Sequence, residues 1–310
     1  MSVLRHCAFS SYALHCVFPA SLLAVSKISD IIPRLIFTQK PAYHRLDDLI
    51  GKNNKTGLYF MASPLEKIKK KIHHSSEQYA HEVRDTLSQL PHISAKFEYL
   101  TANRQFRVDQ KKLEFMSLLE KVQSSKPKII LEIGGRRGGS ALMFSLAAGG
   151  ASKLVSMDIK TSDRKVKNLK ILCGDHDVDF WEADSHAEET IQRLSDHLNG
   201  EKIDFMFIDG DHSYEGAKQD FIRFAPFMSE GGLIGLHDIQ LDFTTRYKVN
   251  TNCWTGGVPE FWKEIVSVGF DIEELISDPY QDGYGIGTVR WSTLSSAKKL
   301  EQLTAITPEK

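Results

Sequence analysis

The densest chemistry in the chain is the run Phe207-Ile208-Asp209-Gly210-Asp211-His212-Ser213-Tyr214-Glu215-Gly216. Within the six residues Asp209–Tyr214 it places two carboxylates, an imidazole and a phenol directly after an apolar stretch, with Gly210 free to make a sharp turn. Ionisable groups crowded at the end of a buried strand are costly unless they are used. Imidazole titrates near neutrality, so His212 suits proton transfer, and carboxylates beside it can orient it or hold a cation. A second such pair, His237-Asp238, ends a later apolar stretch. If the two stretches are adjacent strands, Asp209, His237 and Asp238 share one pocket.

The elements that would position these groups can be read from periodicity. Lys128–Ile133, Lys153–Asp158, Val178–Glu182, Ile203–Asp209 and Leu233–His237 are short apolar runs of the kind found in strands buried on both faces. Helical segments at Ser140–Ala148, His186–Leu198 and Tyr214–Phe227 alternate with them. Strands alternating with helices predict an open, doubly wound, mostly parallel α/β sheet. Ligands of such sheets bind beyond the carboxyl ends of the strands. Phe270–Ile276 and Gly285–Trp291 read as two closing strands, after a helix that starts near Pro259.

The first strand runs into Glu132-Ile133-Gly134-Gly135-Arg136-Arg137-Gly138-Gly139-Ser140, a glycine-rich turn that allows close backbone approach to a ligand. It lacks the Lys-Ser/Thr of a phosphate-cradling loop and the spacing of a dinucleotide turn, so a mononucleoside-like ligand fits better. Asp158 ends the second strand, where an acid can accept both hydrogen bonds of a ribose diol. Asp184-Ser185 follows the third and suits either an adenine amino group or an N-cap of the next helix.

These residues resemble a class I S-adenosylmethionine-dependent methyltransferase. The Glu132-x-Gly134-x-x-x-Gly138-x-Ser140 turn, Asp158, Asp184-Ser185, Asp209 and Gly231-Gly232 stand in that family's order. The Ile208–Gly216 run and Leu236-His237-Asp238 are similar to a small-molecule subgroup, related to the so-called cephalosporin hydroxylases and to macrolide sugar O-methyltransferases. The resemblance covers about Gln110 to Arg290 and implies a seven-stranded Rossmann-like fold. It implies that Gly134 to Ser140 contact the methionine part of S-adenosylmethionine, with Glu132 supporting the loop or the amino group. Asp158 would hold the ribose, Asp184 and Ser185 the adenine, and Asp209 would face the transfer centre. A divalent metal such as Mg²⁺ would sit on Asp209, His237 and Asp238, although a histidine stands where some relatives have an acid. Without a metal, His212 or His237 is the base.

The expected activity is methylation of a hydroxyl on a small molecule, a sugar or natural-product intermediate. N-methylation and a catalytically silent binding module are the alternatives. Lys+Arg of 39 against Asp+Glu of 40 leaves a net charge of -1, which removes the main argument for a nucleic-acid partner. A homo-oligomer stays open. Cys7, Cys16, Cys173 and Cys253 are too few and too scattered for a disulfide framework, so a reduced, cytoplasmic compartment is the default.

Residues 1–60 read as an extension or a weak targeting segment, with no run long enough to span a bilayer. Residues 61–125 read as a helical cap and 126–310 as the catalytic domain. The cap holds a charged helix from Pro64 to about Ser88, whose Lys67, Lys69, Lys70, Lys71, His73 and His74 make either an anion-binding surface or a solvated face. A second helix, Gln110–Val122, carries an apolar stripe of Leu113, Phe115, Met116, Leu118, Leu119 and Val122.

Overall fold

A computed structural model describes residues 70–149 and 153–306. The expected extension over 1–60, and Lys67 and Lys69 of the charged helix, lie outside these residues. The described residues belong to one compact unit.

Three helices come first: α1 (Glu77–Gln89), α2 (Ile93–Ala102) and α3 (Lys112–Ser125). The charged helix is broken. Residues 70–74 are helical, the chain turns at Ser75-Ser76, and α1 starts afresh with the Ser76 hydroxyl accepting from the Tyr79 amide at 3.1 Å. A serine that satisfies a free helix-end amide favours a new start over continuation. In α3, Phe115, Leu118, Leu119 and Val122 are buried as the stripe predicts, while Leu113 is 67% exposed.

The sheet follows: β1 (Ile129–Ile133), β2 (Lys153–Asp158), β3 (Val178–Glu182), β4 (Ile203–Ile208), β5 (Met228–His237), β6 (Asp271–Leu275) and β7 (Ile286–Arg290). Its order is β3-β2-β1-β4-β5-β7-β6. The first five strands are parallel, and β7 pairs antiparallel with both β5 and β6. Between them run α4 (Gly139–Ala147), α5 (Asp163–Cys173), α6 (Glu188–Leu198), α7 (Tyr214–Phe224), a 3-10 turn (Ala225–Phe227), the short α8 (Phe243–Tyr247) and α9 (Val258–Val268), with α10 (Thr293–Ala305) last.

Strand alternation divides the core into two layers. Leu131, Ile133, Met206 and Ile208 pack with α6, α7 and α9 on one face. Ile130, Phe205 and Phe207 pack with α3, α4 and α5 on the other. There Phe144 lies 5.0 Å from Phe205 and 5.3 Å from Phe115, centroid to centroid, within the range of favourable ring contacts. Helices α1 to α3 thus share their core with the sheet. No described helix is long and apolar enough to cross a membrane.

Chain direction reverses its lateral course between β1 and β4: β2 and β3 extend one way, β4 and β5 the other. That switch point opens a crevice at the carboxyl ends of the strands.

Candidate active site

A cleft of about 750 Å³ occupies the crevice and is lined by Gly134, Ser140, Asp158, Asp184, Ser185, Asp209, His212, His237 and Asp238 among others. A larger groove of about 830 Å³ lies between α1 and α5, but none of the expected site residues lines it.

Gly134 shows why the first turn is glycine-rich. Its φ is +93°, and a Cβ there would stand 2.0 Å from the Asp209 carbonyl oxygen. The loops after β1 and β4 therefore meet backbone to backbone. Gly138 begins α4 in the left-handed region at φ +75°, with a Cβ position 2.3 Å from the Leu169 side chain. The first turn of α4 then presents Ser140 to the cleft.

Glu132 lies inside β1 and is 1% exposed. The Ser156 hydroxyl donates to its Oε2, while Oε1 is buried without a partner. Burial raises its carboxyl to about 7, against the opposing pull of hydrogen bonds from Ser140 and Ser156.

Asp158 accepts from the Arg136 amide at 2.7 Å on Oδ2 and from the Lys160 amide at 2.8 Å on Oδ1. Each oxygen keeps a lone pair for another donor. Asp184 accepts from the His186 amide at 2.9 Å. It does not cap α6 with its side chain: the cap residue is Ala187, which makes no side-chain cap bond. Ser185 lines the cleft beside it. His186 turns its Nε2 to the fully buried Asp220 at 3.2 Å, and that acid raises the imidazole above its ordinary value.

The far end of the cleft is a four-residue cluster. His237 Nδ1 lies 3.0 Å from Asp209 Oδ1 and 3.4 Å from Asp238 Oδ1. His212 reaches Asp209 Oδ1 with Nε2 at 3.4 Å and Asp238 Oδ2 with Nδ1 at 3.2 Å. Burial works against protonation of both imidazoles, but the two carboxylates outweigh it and raise both, His237 most. Burial would likewise raise Asp209, and the two histidines hold it far below the usual carboxylate range instead. Asp211 accepts from the Ser213 amide at 2.8 Å and so acts as a turn residue before α7.

Ligand atoms of Asp209, His212 and Asp238 all lie within 4.8 Å of one another. This grouping shares Asp209 and Asp238 with the metal set expected from sequence, but brings in His212. The His237 ring points Nδ1 at the acids and leaves Nε2 buried without a partner.

Several contributors were not singled out from sequence. Gln110 Nε2 donates to Asp209 Oδ2 at 2.9 Å, linking the segment before α3 to the cluster. Glu114 of α3 is 2% exposed and accepts from the Ser277 amide, the Ser277 hydroxyl and the Gly285 amide at 3.0, 2.7 and 3.0 Å. It thereby anchors the segment that carries Tyr284 into the cleft. The Gly283-Tyr284-Gly285 triplet was the available signal, since flanking glycines mark an unusual backbone.

Residues 131–239 match a family model described as a methyltransferase domain. The matched segment runs from within β1 to the end of β5 and carries the turn, acids and imidazoles described above. Outside it lie α1 to α3 and the antiparallel pair β6 and β7, so Gln110 and Tyr284 come to the cleft from beyond the matched segment. A rhamnosyl O-methyltransferase of Mycobacterium leprae is 31% identical over 123 residues, which are 38% of this chain and 51% of that protein. The chain thus spans about half the length of that relative. Among solved structures, an O-methyltransferase from Bacillus cereus in complex with SAH aligns over 69% of this chain and 96% of its own, at 17% identity and a TM-score of 0.48. The Streptomyces achromogenes O-methyltransferase involved in tomaymycin synthesis aligns over 66% and 92%, at 15% identity and a TM-score of 0.47.

Proposed function

We propose that the protein is an S-adenosylmethionine-dependent methyltransferase acting on a hydroxyl of a small molecule. The observation that supports this most strongly is the convergence of Gly134, Asp158, Asp184 and Asp209 on one cleft, at the switch point of a matched methyltransferase domain. The likeness to a rhamnosyl O-methyltransferase supports a hydroxyl as the acceptor group.

S-adenosylmethionine would supply a sulfonium methyl, which the acceptor oxygen would take in an in-line displacement as the carbon–sulfur bond breaks and S-adenosylhomocysteine departs as a neutral thioether. Positioning therefore carries much of the acceleration. Asp158 receives the ribose hydroxyls on the lone pairs that its two backbone amides leave open. Asp184 and Ser185 bound the adenine side. The unpartnered Glu132 Oε1 is the natural acceptor for the cofactor's ammonium group. Asp209 holds His212, which takes the acceptor's proton as the new oxygen–carbon bond forms.

The Asp209, His212 and Asp238 donors fit a divalent cation in charge and number. Two carboxylates with one imidazole suit a transition ion better than Mg²⁺, which prefers oxygen ligands. Such an ion would lower the pKa of the acceptor hydroxyl.

Calorimetry with S-adenosylhomocysteine tests the cofactor site. Asp158→Ala is expected to weaken binding by about tenfold or more, a loss of roughly 1.4 kcal/mol. Unchanged affinity would sink the assignment, and binding of NAD would redirect it. Proton transfer is tested by the pH profile of methyl transfer to a panel of glycosides and phenols. Because the Asp209 and Asp238 carboxylates raise His212 above its ordinary value against the effect of burial, the rate is expected to climb as pH rises through that higher value. His212→Gln should remove this limb while S-adenosylhomocysteine still binds. A chelator that abolishes activity assigns the cluster to a cation; activity that persists leaves the proton to His212.

A further inference from the structure

Among the described residues, six other than glycine have a positive φ: Lys126, Arg136, Asn199, Asp238, Lys248 and Tyr284. Three of them, Lys126, Asn199 and Lys248, simply end helices. The other three all line the cleft. Such backbone costs about 1–3 kcal/mol per residue and persists only where the surroundings enforce it.

For Asp238 the enforcement delivers a carboxylate to the cluster. Tyr284 has no equivalent reason among the described residues. Its φ is +60° between two glycines at +65° and +81°, and its hydroxyl makes no hydrogen bond there. Its ring stands edge-on to His237, 5.9 Å away at 79°, with the Lys111 ammonium 5.1 Å from its centroid. Across the cluster, Trp254 stacks on His212 at 5.6 Å and 15°. One indole face is thus taken, yet the residue remains 66% exposed. Trp254 also lines the cleft. Each of the two aromatic rings thus lies against one of the two imidazole partners of Asp209.

We propose that Trp254 and Tyr284 form the acceptor subsite, and that its ligand is a neutral sugar ring. The proposal rests on the methyltransferase reading above. A pyranose offers an apolar C–H face to one open indole and hydroxyls to everything else. That matches a subsite with a large exposed indole beside the polar lining residues Asn252, Asp211, Asp238 and Tyr284. A flat phenolic ring would want apolar cover on both faces and would leave those polar groups without partners. An anionic acceptor would meet the carboxylates of Asp209, Asp211 and Asp238.

The test is calorimetry on the full chain saturated with S-adenosylhomocysteine, titrated with methyl α-L-rhamnopyranoside and, separately, catechol. The glycoside is expected to bind, and Trp254→Ala to weaken it by about tenfold. Tyr284→Phe, which keeps the ring and removes one hydrogen bond, should weaken it by roughly threefold. Affinity for S-adenosylhomocysteine should stay within about twofold in both variants, which separates a local loss from misfolding. Equal glycoside affinity in Trp254→Ala, no glycoside binding by the cofactor-bound wild type, or binding of catechol alone would each overturn the proposal. Failure of the wild type to bind S-adenosylhomocysteine would instead count against the methyltransferase reading, and the glycoside titration without it would then judge the subsite by itself.

Discussion

Gly134→Ala is expected to lower the melting temperature by about 6–12 °C and to abolish measurable S-adenosylhomocysteine binding. Two independent costs combine. The backbone at φ +93° disfavours any side chain, and the new methyl would sit 2.0 Å from the Asp209 carbonyl oxygen. That oxygen belongs to the backbone of a neighbouring strand end and cannot rotate away. Either the β1 turn lifts from the sheet or β4 yields, and in both cases the cofactor's methionine end loses its seat. A loss of about 3 kcal/mol or more follows from strain and overlap together. Gly231 provides the control. It has a similar φ of +75° but nothing within 4 Å of its Cβ position. Gly231→Ala should therefore cost only about 1–2 kcal/mol, with ligand affinity kept. Thermal melts and calorimetry on the two variants decide the matter: equal behaviour would mean that the close approach of the two loops carries no weight.

Glu132→Gln is expected to make the free protein more stable at pH 8 and worse at binding cofactor. Burial raises this carboxyl to about 7 from an ordinary 4.5. A raised acid keeps its proton in the folded state where the unfolded chain has lost it. Stability from this source is full below pH 4.5 and drains away as pH rises towards 7, by about 3 kcal/mol in all. Glutamine has no such slope, so the two proteins should melt alike at pH 4.5 and below, diverge as pH rises to 7, and keep a constant gap above it. A cationic ligand reverses the balance, because an ammonium group at Oε1 would partner the buried charge. S-adenosylhomocysteine should accordingly stabilise the wild type more than the variant, with an affinity difference of about tenfold. Parallel pH slopes in denaturant titrations would remove Glu132 from this role.

How far such a site can be read from sequence depends on the range of the forces that build it. The strands β2 and β3 have the boundaries that their apolar runs indicate, and Asp158, Asp184, Asp209 and Asp238 all reach the cleft as strand-end residues should. These follow from local pattern plus the geometry of a parallel sheet. Helices α2 and α5 are weakly patterned: α2 buries only Phe97 and Leu100, and α5 mixes its buried Leu169 and Leu172 with three lysines. Their helicity comes from packing on the sheet more than from periodicity. Gln110 and Glu114 act across 99 and 163 positions of chain, so nothing beside them in sequence announces their partners. The way His212 and His237 both turn onto Asp209 and Asp238 has the same origin, since ring direction depends on packing that no spacing rule reports.

The shared core of α3 and the sheet also bears on how the chain acquires its shape. Phe115, Leu118, Leu119 and Val122 lie against Phe205 and Phe207 of β4, and against Ile286 of β7. On a ribosome that stripe emerges well before the strands that cover it. Until β4 has been synthesised, the α3 segment holds an uncovered greasy face, and until β7 arrives the layer is still open on one side. Contacts so distant in sequence close late and slowly. Among the described residues, the helical prelude therefore has the longest exposure during synthesis, and a chaperone that recognises apolar helices would find purchase there first.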